Sequence, residues 1–351
     1  MIRQGCFAEP HIRNLQEKSR RDPALLERAV YAFGLLEALA RVGLPFIFKG
    51  GTCLMLLLEQ PRRLSTDIDV VVEPETDVES YIDAAGRIFP FQHVEEQKRR
   101  GKNGVEKRHF KFSYDSPING RPFYILLDVL FEKNHYAALV KREIRNDLLL
   151  TEPKYLTVQI PSADCILADK LTAFAPHTTG IPLNGGKDME VMKQFYDISC
   201  LIDLLSDWDK LRHTYEAIAL TELAYRGVDA ASRDCLLDTL QAALCVAGRG
   251  KIHSEEYPPY VRGARELRGH IFSENFTPES AALLATRVMY LAACVLANHP
   301  YEDTADPGIY ILCDLTVEHL APLKYLRKVS PSAFSYAVRT DQLWGSLDAP
   351  M

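Results

Sequence analysis

Two acids separated by one apolar residue, Asp67-Ile68-Asp69, lead into the β-branched run Val70-Val71-Val72. Residues two apart on a strand share a face and stand roughly 6.5–7 Å apart along it, so both carboxylates project together. Hard oxygen donors at that separation suit one or two divalent cations, and Mg²⁺ commonly completes its octahedron with substrate phosphate oxygens. Asp128, inside Leu126-Leu127-Asp128-Val129-Leu130, is a further acid in an apolar strand, and three carboxylates converge if the two strands are neighbours. An isolated acid-apolar-acid match is common and also fits a solvated turn or the cap of a helix. Here the apolar run continues through Val72, which places the acids within a strand, where a cation compensates a charge that would otherwise be costly to bury.

Gly50-Gly51-Thr52 lies fifteen residues before Asp67. Glycines between a strand and a helix let backbone amides approach an anion closely, and the helix N-terminus adds a partial positive charge. Thr52 can offer its hydroxyl to the same oxygens. Alone, the tripeptide also reads as a tight turn with a Thr cap; its proximity to Asp67 favours phosphate.

The elements that must position these groups follow from periodicity. Asp22-Pro23 starts a helix whose apolar residues, Leu25 to Leu39, recur at helical spacing until Gly43. Phe46-Ile47-Phe48 is a short buried strand, Thr52 to Glu59 a helix, and Asp67 to Val72 a central strand. Thr76 with Glu79 forms a capping box opening a helix through about Ile88. Strands are expected at Arg108–Tyr114 and Phe123–Phe131, joined through an Asn119-Gly120 turn, and near Tyr155–Ile160. Beyond Ser162 the pattern turns helical, at 165–175, 188–205, 211–225, 230–247 and 278–298. The expected fold is α+β: a mixed sheet flanked by helices, followed by an all-helical C-terminal domain. The expected division is an N-terminal extension at 1–22, an α/β core at 23–160 and a helical domain at 161–351.

In this order of motifs the chain resembles the DNA polymerase β-type nucleotidyltransferases, and among them the AbiEii-like and MenT-like toxins of bacterial toxin–antitoxin systems. The resemblance rests on Phe46-Ile47-Phe48-Lys49-Gly50-Gly51-Thr52, on Ser65-Thr66-Asp67-Ile68-Asp69-Val70, on Asp128, on Ala168-Asp169-Lys170-Leu171-Thr172-Ala173 and on Tyr196-Asp197-Ile198. It implies transfer of a nucleotidyl group from an NTP to an acceptor hydroxyl with Mg²⁺ or Mn²⁺. Asp67 and Asp69 would hold metal and triphosphate, with Asp128 as a further ligand that positions or deprotonates the acceptor. Gly50, Gly51, Thr52 and Ser65 would meet the nucleotide, Lys170 would neutralise the triphosphate, and Asp197 would orient Lys170 or the nucleotide, so that the helical part completes the active site. Relatives carry an Arg shortly before the Tyr-Asp pair; here the loop Gly185-Gly186-Lys187 stands nearby, and Lys187 is the candidate phosphate contact. MenT-like toxins act on tRNA 3′ ends, which makes tRNA the expected acceptor and an antitoxin protein an expected partner.

Lys98, Arg99, Arg100, Lys102, Lys107, Arg108 and Lys111 against Glu106 give a local charge of about +6. With Arg62 and Arg63 they form the expected RNA-binding stripe. The 351-residue chain as a whole carries 41 Lys and Arg against 47 Asp and Glu, a net charge of −6, which excludes a uniformly basic nucleic-acid coat. The eight cysteines show no zinc spacing and read as reduced thiols, and no secretory signal pattern is present, so a cytoplasmic location without membrane association is expected. The apolar stretch 281–297, interrupted by Arg287, reads as a buried helix. No GxSxG elbow or HExxH motif supports hydrolase or zinc-protease chemistry. Two other readings share the fold: a nucleotidyltransferase acting on a small molecule such as an aminoglycoside, and a catalytically silent binding module.

Overall fold

Asp22 accepts hydrogen bonds from the amides of Ala24 and Leu25, Pro23 sits in the first turn and Gly43 takes φ +77° at the far end. The segment that the sequence marks as helical therefore forms α2 (Pro23–Val42), preceded by α1 (Glu9–Ser19). The computed structural model describes residues 1–58, 60–97, 106–272 and 274–347. Two units divide the chain: Met1–Ser162 with Gly269–Glu274, and Ala163–Arg268 with Asn275–Met351.

The first unit continues with β1 (Ile47–Lys49), α3 (Gly50–Leu57), β2 (Ile68–Val72), α4 (Glu79–Ala85), β3 (His93–Glu96), β4 (Lys107–Asp115), β5 (Pro122–Phe131), β6 (Leu139–Glu143) and β7 (Thr157–Pro161). The seven strands form one mixed sheet in the order β3-β4-β5-β2-β1-β7-β6. β2 and β5 are parallel neighbours, and β1–β2 and β4–β5 are antiparallel. Alternation along β4 and β5 buries Phe110, Phe112, Tyr114, Ile125, Leu127 and Val129 on one face. The helix α2 covers it: Tyr31 stacks on Tyr114 at 3.8 Å, and the buried Glu27 accepts the hydroxyls of Tyr114 at 3.0 Å and Ser116 at 2.8 Å. The opposite face, with His109, Lys111 and Asp128, stays partly open, as antiparallel pairs permit. Residues 1–22 join this unit: Ile2 bridges to Thr151, and Ile12 and Leu15 are buried.

Several local expectations are corrected. The capping box at Thr76 does not form; α4 starts after Val78, and the Glu79 amide bonds Asp77 at 3.2 Å. The two glycines are the first residues of α3 rather than a turn before it. β2 starts at Ile68, so Asp67 stands one residue outside the strand that was expected to contain it.

The second unit is helical: α5 (Ala163–Ala173), α6 (Asp188–Leu201), α7 (Trp208–Arg226), α8 (Ser232–Ala247), α9 (Tyr257–Leu267), α10 (Pro278–Leu296), α11 (Leu326–Val329) and α12 (Pro331–Leu343). α10 is long and apolar enough to cross a membrane by composition, yet 67% of its most apolar window is buried, packed against α8 and α12. Arg287, the interrupting charge, pairs with Asp203 at 2.8 Å and Asp303 at 3.4 Å. All eight cysteines are free thiols, six of them buried, and burial pushes Cys6 up to about 11.

Candidate active site

The sheet register builds the site. Lys49 on β1 is paired with Asp69 on β2, Asp69 with Asp128 on β5, and Asp128 with His109 on β4. Paired residues on neighbouring strands point to the same face about 4.8 Å apart, so one row across four strands reads cation, acid, acid, imidazole. His109 donates from Nδ1 to Asp128 Oδ1 at 2.6 Å. A cleft of ≈160 Å³ opens over the row, lined by Lys49, Asp69, Lys107, Asp128 and Leu130 among others. That is below the roughly 300 Å³ at which whole-ligand pockets begin. Asp69 and Asp128, expected as partners from their apolar strands, are thus brought together. Lys49 and His109 were not singled out by spacing; the phase of β4, with His109 opposite to Phe110, was the available signal.

Asp67 is placed differently. Its side chain is 46% exposed, and Oδ1 lies 3.6 Å from Nη2 of Arg28. The expected convergence of three carboxylates is therefore not formed: among the described residues, no group of three His, Cys, Asp or Glu is arranged to hold a metal ion. The donors that do meet still fit a hard cation. Like charges directly opposite on neighbouring strands are destabilising, and Asp69 and Asp128 occupy such positions with oxygen donors only.

The glycines are explained by close approach. Gly50 has φ +80°, and a Cβ there would lie 2.0 Å from Asp69 Oδ2; one on Gly51 would lie 2.6 Å from Ser65 Oγ and 2.7 Å from Arg63 Nη2. The space that side chains would need is thus filled by the chain's own groups, and the Asp69 carboxylate sits against the first residue of α3, where the helix dipole favours negative charge. Thr52 is fully buried, and its hydroxyl donates to the Asp67 carbonyl at 2.6 Å, tying α3 to the lead-in of β2. A hydroxyl has one proton to donate; this one positions Asp67 rather than a phosphate. The Ser65 amide donates to Met55 Sδ at 3.1 Å.

The expected basic stripe is not supported as a unit. Lys98, Arg99, Arg100 and Lys102 lie outside the described residues. Arg63 is 5% exposed and donates to the Leu64 carbonyl, so it belongs to the interior rather than to the surface. Arg108 is clamped by Glu96, at 2.8 and 3.0 Å, and by Glu79, with its charge held first by Glu96. Arg62 is exposed, and Lys107 lines the acid cleft.

In the second unit, Lys170 on α5 and Asp197 on α6 form a buried ion pair at 2.9 Å, with side chains 8% and 2% exposed, and Lys170 also donates to Gln194 Oε1 at 2.8 Å. Neither is a solvated surface residue; Lys193, the nearest alternative partner for Asp197, pairs with Glu190. Lys187 is exposed and precedes α6, whose first residue, Asp188, bonds Arg262 at 2.7 Å.

Comparison with known proteins bears on this site. No curated protein matches the chain. Solved structures that resemble it include JHP933 from Helicobacter pylori (13% identity, 76% of this chain and 92% of that one, TM-score 0.45) and a putative nucleotidyltransferase from H. pylori (13%, 76% and 95%, 0.44). A third is an antigenic nucleotidyltransferase-like protein from Paracoccidioides brasiliensis (17%, 56% and 87%, 0.37). The family model of the nucleotidyl transferase AbiEii toxin, of type IV toxin–antitoxin systems, matches residues 34–279, a span that includes Asp69, Asp128 and the buried Lys170–Asp197 pair. With more than half of its length matched, the chain belongs to the AbiEii family of nucleotidyltransferase toxins, a membership that implies an NTP substrate and a cognate antitoxin.

Proposed function

We propose that the protein transfers a nucleoside monophosphate from an NTP to a hydroxyl at the 3′ end of an RNA acceptor, with tRNA the first candidate. The observation that carries this reading is the in-register pair Asp69 and Asp128 over the cleft lined by Lys49 and Lys107. Asp69 and Asp128 would hold Mg²⁺ or Mn²⁺, and Asp67, at the edge of β2 against Arg28, stands outside this pair. When bound, the ion supplies Lewis-acid stabilisation of charge on the α-phosphate and the leaving pyrophosphate.

The remaining work falls to the chain's own groups. Lys49 and Lys107 neutralise the triphosphate across the cleft. Asp128 has Oδ1 fixed by His109, which leaves Oδ2 to accept the proton of the attacking hydroxyl. The acceptor oxygen forms a bond to the α-phosphorus while the bond from that phosphorus to the bridging oxygen breaks, and pyrophosphate departs with the electron pair.

Incubation of the protein with Mg²⁺, each α-labelled NTP in turn and total tRNA tests the reading. Label should pass to RNA with one NTP preferred, and Asp69→Asn should cut the rate at least about a thousandfold, the scale of losing a preorganised charge contact. Equal, background-level labelling by wild type and Asp69→Asn would refute the enzyme reading; label recovered only in a small molecule would refute the RNA acceptor.

A further inference from the structure

Phe123 and Tyr124 follow Pro122 at the start of β5, each residue 38% exposed, with their rings stacked at 5.5 Å between centroids and 12° between planes. Phe123 lies under the Arg28 guanidinium at 5.4 Å, and Tyr124 lies beside the Lys111 ammonium at 4.7 Å on the face that carries Asp128. Next to Phe123 opens a cleft of ≈510 Å³, lined by Arg20, Arg21, Asp22, Arg28 and Phe123 among others. That volume lies within the range of ligand-binding clefts, and the cleft is open to solvent.

The charges in this cleft are under-used. Asp22, the one acid among those five, is occupied by the amides of Ala24 and Leu25. The Nε atoms of Arg21 and Arg28 are buried without a hydrogen-bond partner, Arg21 Nη2 reaches the Phe272 carbonyl only at 3.5 Å, and Arg28 Nη2 stands 3.6 Å from Asp67. Buried polar atoms left unsatisfied call for a ligand or another explanation. Guanidinium forks match phosphate oxygens, and exposed aromatic faces stack unpaired bases. The Arg28–Asp67 contact places this cleft beside the lead-in of β2, two residues before Asp69, and Tyr124 is four residues before Asp128 on one strand, roughly 13 Å at about 3.3 Å per residue.

We propose that this cleft binds the single-stranded end of the polynucleotide acceptor. Arg20, Arg21 and Arg28 take its phosphates, and a base stacks on the Phe123–Tyr124 pair, so that the strand runs past Asp67 toward Asp69 and Asp128. The assignment rests on the reading that the acceptor is a nucleic acid. A paired duplex hides its ring faces, and an NTP has its phosphates met at the cleft beside Lys49 and Lys107; the exposed stack therefore favours an unpaired strand.

The test is direct binding, without added metal and without reading transfer. A fluorescently labelled single-stranded RNA, a blunt duplex of the same length and each free NTP are titrated into wild type, Arg20→Ser/Arg21→Ser, Phe123→Ala and Phe123→Trp, with thermal unfolding as a folding control. The double arginine variant should weaken single-strand binding about tenfold at roughly 0.1 M salt and reduce the log–log salt slope by about 1.4, at about 0.7 per phosphate contact. Phe123→Ala should weaken it about five- to a hundredfold, and Phe123→Trp should restore it. Duplex and NTP affinities should stay unchanged. The proposal is overturned if wild type binds no single strand, if the arginine variant keeps wild-type affinity and slope, or if the loss appears in NTP binding instead. A protein that binds the strand in this way but transfers no label would refute the transferase reading and leave the cleft standing; transfer with unaltered binding in the variants would do the reverse.

Discussion

Asp128 has one carboxylate oxygen held by His109 at 2.6 Å, and this fixes which lone pairs face the cleft. Hydrogen bonds of this kind to ligand carboxylates set orientation and typically alter affinity or activity ten- to a hundredfold. His109 is thus a positioning residue for the proposed chemistry. His109→Ala should lower kcat about tenfold with little change in the KM for NTP, and His109→Asn, which still carries an N–H donor, should recover part of the loss; equal kcat in all three proteins would remove the role. A second histidine makes a stability prediction. Burial disfavours the charged form of His177, but bonds and charge from Asp238 and then Glu256 outweigh it and raise its pKa above 6.5. The protonated form is therefore favoured on folding. The contribution is fully present below pH 6.5 and is lost as pH rises through the raised folded value. His177 is 53% exposed, so the effect is screened to below about 1 kcal/mol. Urea unfolding between pH 6 and 9 should show His177→Gln flattening the decline; parallel curves for wild type and variant would contradict it.

At the scale of elements, α5 and α6 meet around the Lys170–Asp197 pair, which is nearly dry. Removing one partner of a buried pair leaves an uncompensated charge and costs about 3–5 kcal/mol, whereas replacing both by apolar groups is often close to neutral. Lys170→Met and Asp197→Leu should each destabilise the protein by that order, and the double variant by much less, measured as a double-mutant cycle in denaturant. Additive losses would show that the two groups do not act as a pair. Elements with strong local signals were legible in the sequence: α2 from Asp22-Pro23 and Gly43, and β5 from its apolar run. The edge strands β3 and β6 were not, because His93–Glu96 and Leu139–Glu143 are largely exposed and lack apolar alternation. α9 was masked by Pro258, Pro259 and Gly263, although prolines are compatible with a first helical turn.

At the scale of the molecule, a net charge of −6 coexists with a cleft lined by three arginines and by one acid that is committed to backbone amides. Long-range charge is screened within about a Debye length, so the local set rather than the total governs polyanion contact.

The sequence by itself determined the family resemblance, the elements with strong local signals such as α2, β2 and β5, and the placing of Asp69 and Asp128 in apolar strands, because periodicity and strand phase are local properties that the sheet preserves. Only the tertiary structure decided which groups share a site. The register of β1, β2, β5 and β4 aligned Lys49 and His109 with the two acids; the approach of Asp69, Ser65 and Arg63 showed what Gly50 and Gly51 leave room for. It also moved the candidate nucleic-acid contact from a run of basic residues to Arg20, Arg21, Arg28 and Phe123. The arginines lie about a hundred positions from Phe123 along the chain, and packing of α2 against β5 brings them together, which no spacing rule can reveal.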